Sequence, residues 1–306
     1  MIQSELRTRS GSAAALRSAV EVPLPGPVGP WEAVELAAEG NWSQIYRARP
    51  LESPADRPAA YALKMLRPQR QEDAWGIALL AREALAGNSI SHPHLIPVLD
   101  ASVSRAPRFV VMPWLEGATL QARLAAGELM DVPAALWIAR QVAEALQALE
   151  TGGWMHGDVK PSNIFLSPEG HVTLLDLGFA RRRDETCASI DRCVMGTCNY
   201  LAPECITSAG GGDIRSDIYS LGAVLFEVLS GRLPLEGDTL AEIAARHRQT
   251  AAPNLLKLVP QLPTEIAWLV RRTMAKDPLR RPQTARELIQ QLIGLEIATF
   301  SERALA

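Results

Sequence analysis

The sequence predicts an α+β fold of two lobes, a small β-rich N-terminal lobe and a larger helical C-terminal lobe. Three observations carry that expectation. Between Trp31 and Met112 the chain shows short β-branched and aromatic runs bounded by turn residues, as strands do. After Glu116-Gly117 apolar residues recur every three to four positions, as in helices with one buried face. At 306 residues the chain exceeds the usual size of one compact domain, so one large two-lobed domain or two small ones is expected.

Residues 1–30 are rich in Ser, Ala, Pro and Gly and end in the proline-punctuated stretch from Val22 to Pro30. Such a composition buries too little apolar surface to fold alone and reads as a flexible leader. A single domain is expected over 31–296, with an N-lobe at 31–115, a C-lobe at 116–296 and a tail at 297–306. Strands are expected at Val34–Leu36, Ile45–Ala48, Tyr61–Met65 and Arg108–Met112, with one helix between them at Ala74–Gly87. In the C-lobe, Asp131 is placed to cap a long helix with Pro133 in its first turn, and Gly152-Gly153 is placed to end it. Further helices are expected at Asp217–Ser230, Asp238–Gln249, Pro263–Met274 and Thr284–Leu295.

Composition excludes several classes. The formal net charge is −3, the pI is near 6 and 47% of residues are hydrophobic, so no basic excess calls for a nucleic-acid or membrane-surface partner. The apolar run Leu221–Leu229 is interrupted by Glu227 and falls short of a membrane span, and the N-terminus has no apolar core of a secretory signal. A cytoplasmic location is therefore expected. The four cysteines, at 187, 193, 198 and 205, lack the paired spacing of a structural zinc site and read as small, reduced residues.

The chemistry is carried by His156-Gly-Asp158-Val-Lys160-Pro161-Ser-Asn163, followed by Asp176-Leu177-Gly178. Taken singly, an Asp, a Lys or an Asn is most often a solvated turn residue. Taken together, the run resembles the pattern His-x-Asp-x-Lys-Pro-x-Asn with Asp-x-Gly at the expected distance, and it identifies the chain as similar to eukaryotic-like serine/threonine protein kinases, of the kind found in bacteria. Of only four lysines in the chain, two, Lys64 and Lys160, fall on positions of that pattern.

The resemblance implies the two-lobed protein kinase fold, with ATP and Mg2+ as cofactors. Phosphoryl transfer from ATP needs mainly charge placed around a loose transition state. Asp158 would accept or orient the substrate hydroxyl proton, Lys160 would neutralise the moving phosphoryl group, and Asn163 and Asp176 would offer hard oxygen ligands to the metal. Lys64, in Tyr61-Ala-Leu-Lys64, would hold the α- and β-phosphates and pair with Glu83. Met112 would be the gatekeeper behind the adenine, the Pro113 carbonyl and Leu115 amide would meet its edge, and Ile45, Ala62 and Phe165 would sandwich the ring.

Three departures from the family pattern matter. The phosphate loop, Ala38-x-Gly40-x-x-Ser43, keeps only the middle of three usual glycines, which puts its grip on nucleotide in question. Gly157 replaces the arginine that in relatives pairs with a phosphate on the activation loop, so that route of activation loses its electrostatic basis, unless Arg181 or Arg182 takes over. Gly87 stands where a bulky apolar residue usually joins Val98, His156 and Leu177 in a stack, which leads to the expectation of a gap and of a helix that ends early or sits loosely.

Gly196 to Glu204 resembles the substrate-side end of the activation segment. The resemblance implies that Thr197 bonds Asp158 and Lys160, that Asp217 anchors the catalytic-loop backbone and that Arg281 pairs with Glu204. These features favour a serine/threonine protein kinase acting on protein substrates over a small-molecule phosphotransferase. A weakly active or inactive nucleotide-binding scaffold is the alternative that the degenerate phosphate loop suggests. Regulation is expected through a partner protein, the leader or the activation loop itself, with Thr186 and Ser189 as candidate phosphorylation sites.

Overall fold

The computed structural model describes residues 24–300 except 55, 129, 183–184, 186–197 and 208–211. The described chain begins with an antiparallel sheet in the order β1-β2-β3-β4-β6-β5, formed by β1 (Pro27–Val28), β2 (Trp31–Glu39), β3 (Ser43–Pro50), β4 (Tyr61–Leu66), β5 (Asp100–Ser102) and β6 (Phe109–Pro113). Strand β1 lies inside the segment expected as leader. Pro27 and Val28 pair with Glu32 and Trp31, and Val28 is 2% exposed, so burial of one valine against the sheet draws this end of the proline-rich stretch into the fold.

Alternation along the strands sets two faces. Opposite residues of an antiparallel ladder share a face, and the register pairs Ala38 with Ile45, Ile45 with Lys64, and Ala62 with Met112. All five therefore lie on one side. The other side buries Tyr46, Ala48, Leu63, Met65, Phe109 and Val111 in a cluster of its own.

Helix α1 (Ala74–Ser89) crosses behind the first of these faces, capped by Asp73, whose carboxylate accepts from the Gly76 amide at 2.8 Å. The helix runs two residues past its expected end. Gly87 leaves no gap, because a Cβ built there would fall 2.5 Å from Val98 Cγ2. Val98 already occupies the space, and its amide donates to the Gly87 carbonyl at 3.3 Å. The expected loosened helix is thus corrected to one in which the glycine permits a close approach of two segments.

The larger lobe is helical. It contains α2 (Leu120–Ala125), α3 (Val132–Thr151), α4 (Pro203–Thr207), α5 (Ile214–Ser230), α6 (Leu240–Gln249), α7 (Leu255–Leu258), α8 (Thr264–Thr273) and α9 (Ala285–Ala298). Helix α3 starts at the Asp131 cap with Pro133 in its first turn, and its buried face sets small residues (Ala139, Ala143) between large ones (Leu136, Leu146), which lets α5 and α9 pack against it. Helix α5 is buried on nearly every side from Ile214 to Val228, its polar residues Ser216, Asp217 and Ser220 included.

Five short strands complete the floor between the lobes: β7 (Ala118–Thr119), β8 (Trp154–Met155), β9 (Ile164–Leu166), β10 (Val172–Leu174) and β11 (Arg181–Arg182). Strand β9 pairs with both β7 and β10, and β8 with β11. Among the described residues no helix is long and apolar enough to cross a membrane.

Candidate active site

The site lies between the sheet face that carries Lys64 and the floor formed by β9, β10 and the loop from His156 to Asn163. Lys64 Nζ bonds Glu83 Oε2 of α1 at 2.7 Å and Asp176 Oδ1 at 3.0 Å, so one ammonium joins β4, α1 and the start of the Leu177–Phe179 turn. Burial alone would lower the lysine, but the two carboxylates outweigh it and hold the ammonium above its ordinary range. The carboxylates share that cation unequally. Burial pushes the Glu83 carboxyl up to about 7, with Lys64 opposing and Asp176 adding. Burial also acts to raise Asp176, yet Lys64 and the Gly178 amide overcome it and bring this carboxyl down to about 2.

Asp176 is held at φ +58°, the only positive φ of a non-glycine residue among those described. An L-residue in this region stores about 1 kcal/mol or more, and such strain persists only when neighbours fix it. Here the fixing contacts are Lys64 and the Gly178 amide, at 3.0 and 3.2 Å from the same oxygen.

The catalytic-loop candidates are tied to one another. Asp158 is 3% exposed, and its Oδ2 takes Lys160 Nζ at 2.8 Å and the Asn163 amide at 2.9 Å. The same Asn163 nitrogen donates to the Asp158 carbonyl at 2.8 Å, which turns the amide so that Oδ1 is not used by the loop. Leu175 N donates to the Asn163 carbonyl at 2.8 Å and brings Asp176 beside the loop.

Asp217, on the buried helix α5, receives the His156 and Gly157 amides at 2.7 Å each. The His156 ring is fully buried, with Nε2 bonded to the Leu175 carbonyl at 2.9 Å. Because a carbonyl only accepts, that nitrogen carries the proton. Gly157 has φ +78°, a conformation costly for any other residue, so the loss of the usual arginine coincides with a relaxed backbone.

At the other end of the cleft Met112 is 8% exposed and packs with Leu80, Val98 and Val110, while Ala62 and Leu115 lie against the same cluster. The Leu115 amide has no hydrogen-bond partner among the described residues. Phe165 is half-buried and in register with Thr119 and Thr173, opposite in direction to the buried Ile164 and Leu166. A cavity of about 240 Å³ takes in Gly40, Ser43, Lys64, Glu83 and Asp176 at the phosphate-loop end. Met112, Pro113 and Leu115 lie outside it.

Arg281 is fully buried and bonds both Glu204 oxygens at 2.7 and 2.8 Å, over the ring of Tyr219. Ser216 Oγ adds a 2.6 Å bond to Glu204. The expected roles of Thr197, Thr186 and Ser189, and of the cysteines at 187 and 193, fall outside the described residues; Cys198 and Cys205 are buried. Arg181 is 2% exposed and donates to the carbonyls of Glu185 and Gly212, while Arg182 lies over the Trp154 ring. Two relationships had no signal in sequence spacing: the 2.6 Å bond from the Tyr200 hydroxyl to Glu227, and the contacts of Trp42 with Arg70 and Gly76.

The family profile described as protein kinase domain matches residues 31–293. Serine/threonine-protein kinase PrkC of Bacillus subtilis is 30% identical over 262 residues, covering 85% of this chain and 39% of that protein. PknD of Mycobacterium tuberculosis is 32% identical over 263 residues, covering 85% and 39%, and PknB of Mycolicibacterium smegmatis is 32% identical over 272 residues, covering 86% and 42%. The chain thus spans about two fifths of the length of these curated relatives. With the match running from the first long strand of the sheet into the last helix, the chain belongs to the protein kinase domain family.

Proposed function

We propose that the chain is an ATP- and Mg2+-dependent serine/threonine protein kinase that transfers the γ-phosphate to protein hydroxyls. The observation that carries this reading is the pair of linked ion clusters, Glu83-Lys64-Asp176 and Lys160-Asp158-Asn163, on either side of one cleft. In this reading Lys64 holds the α- and β-phosphates, and Glu83 keeps Lys64 extended toward them. Asp158 uses Oδ2 for Lys160 and Asn163, which leaves Oδ1 to accept the bond of an incoming hydroxyl and set its oxygen toward the phosphorus. Lys160 sits where charge on the transferred group would be neutralised.

The donor set suits magnesium, since the Asn163 amide oxygen and the Asp176 carboxylate are hard oxygens and such sites take one or two carboxylates besides phosphate and water. When bound, the metal would supply neutralisation of phosphate charge. Ile45, Ala62, Met112, Leu115 and Phe165 are assigned to the adenine, with the Leu115 amide and Pro113 carbonyl at its edge, and Ala38, Gly40 and Ser43 to the phosphates. The reaction is placed in the cytoplasm, where ATP is available, and serine or threonine side chains of proteins are the acceptors.

The test is incubation of the purified chain with labelled ATP and Mg2+, with mass spectrometry of the modified sites. Phosphate on serine or threonine is expected, lost at least 100-fold in Asp158→Asn while nucleotide binding by calorimetry is kept. Undiminished transfer in that variant would overturn the role of Asp158. Nucleotide binding without transfer in the parent chain would favour the second reading, a nucleotide-binding scaffold, for which the loss of glycine at Ala38 and Ser43 is the specific motive.

A further inference from the structure

The turn of the phosphate loop is closed by the Gly40 amide, which donates to the Ser43 carbonyl at 2.8 Å, above the Glu39–Gln44 pair of the β2–β3 ladder. Its other anchors come from the segment that joins β4 to α1. Arg67 donates its amide to the Trp42 carbonyl at 2.9 Å and Nε to the Gly40 carbonyl at 2.7 Å, and its guanidinium pairs with Glu39 at 3.1 Å. The guanidinium of Arg70 lies over the Trp42 ring, 4.6 Å from its centroid.

The indole also reaches α1. A Cβ built on Gly76 would lie 3.4 Å from Trp42 Cε3, so the ring rests against the first turn of the helix. Gly76, Leu80, Glu83 and Gly87 are spaced by four, three and four residues and are all buried, which places the Trp42 contact and the Glu83 carboxylate on the same face of one helix. A helix moves as a rod over two turns, so a shift that frees Glu83 from Lys64 also pulls Gly76 from the indole.

We propose that Trp42 is a positioning residue that locks the phosphate loop to α1, so that nucleotide under the loop and the Lys64–Glu83 ion pair stabilise one another. The proposal rests on the reading of the cleft as an ATP site. Coupling of this kind is reciprocal: whatever nucleotide gains from an ordered α1, α1 gains from nucleotide. It also gives the loop a substitute for two missing glycines, since a loop already fixed at its tip needs less of its own conformational range to meet the phosphates.

Amide exchange across α1, with and without a saturating non-hydrolysable ATP analogue and Mg2+, tests the coupling together with kinetics. In the parent chain the analogue is expected to slow exchange at Leu79 to Glu83. In Trp42→Ala the analogue, saturating by calorimetry, is expected to give no such slowing, and KM for ATP is expected to rise at least fivefold with kcat changed less than KM. Trp42→Phe is expected to restore most of both. Arg70→Ala, a change at a half-exposed side chain, is expected to raise KM about two- to threefold in the same direction. Equal protection of α1 in Trp42→Ala, or a KM within twofold of the parent in both Trp42→Ala and Arg70→Ala, would overturn the coupling alone. Failure of the parent chain to bind the analogue would overturn the nucleotide reading itself.

Discussion

Val98 Cγ2 lies 2.5 Å from the point where a Cβ on Gly87 would sit. A side chain there must push β-branched Val98 out of a packed cluster that also holds Leu80, Val110 and Met112. Overpacking of this kind costs about 1–3 kcal/mol, against about 1 kcal/mol gained in helix propensity when glycine becomes alanine. Gly87→Leu is therefore expected to lower both thermal stability and activity, and Gly87→Ala to lower stability slightly. Thermal melts decide it, and the double variant Gly87→Ala/Val98→Ala should recover part of the helix propensity gain. Higher basal activity in Gly87→Leu would show that Val98 yields without cost.

Gly157 supplies the second prediction. At φ +78° a side chain costs about 1–2 kcal/mol, so Gly157→Arg should lower the melting temperature by a few degrees. The parent chain, with no arginine here to meet a loop phosphate and with Arg181 buried against backbone carbonyls, should keep most of its activity toward a protein substrate after phosphatase treatment. A loss of tenfold or more, about 1.4 kcal/mol in the barrier, would contradict this.

Glu83 sets the third. Burial raises its carboxyl to about 7 from an ordinary 4.5. Between these values the folded chain binds a proton that the unfolded chain has released, so this group's contribution to stability falls as pH rises through the window and is lost above about 7. The difference in unfolding free energy between the parent and Glu83→Gln should therefore decline from pH 5 to 7, by at most about 1.4 kcal/mol per unit, and level off beyond. Denaturant titrations at several pH values measure it. Activity should move oppositely, because the ion pair with Lys64 requires the ionised carboxylate. Parallel stability profiles for the two proteins would contradict the assignment.

The parts of the site legible in the sequence were those whose chemistry fixes both residue type and spacing. Lys64, Asp158, Asn163 and Asp176 were expected at one site through the resemblance to the kinase pattern, and the register of the sheet sets Ala38, Ile45, Ala62, Lys64 and Met112 on one face. The long helices were legible because their caps and periods are local: Asp131, Pro133 and Gly152 bound α3 as their chemistry requires. What escaped depends on contacts between segments far apart. Val28 belongs to the sheet only because a buried cluster receives it, which composition cannot reveal. Gly87 looked like a vacancy because the sequence shows a missing side chain and not the approach of Val98. The seat of Trp42 on Gly76 and Arg70 joins a loop to a helix end with no periodic signal between them.

The two carboxylates that secure the C-lobe side of the site have an implication for how the chain is made. Asp217 receives the His156 amide from 61 residues away, and Glu204 meets Arg281 across 77. On the ribosome, the sheet through Pro113 can close early, whereas the His156 and Gly157 amides wait for Asp217, and the Glu204 carboxylate waits for Arg281. Contacts of such separation form late. A nascent chain stopped between Glu204 and Arg281 thus carries a finished small lobe beside an open large one, with the Glu204 carboxylate and apolar helix faces exposed, and is a substrate for chaperones and proteases rather than a partly working enzyme.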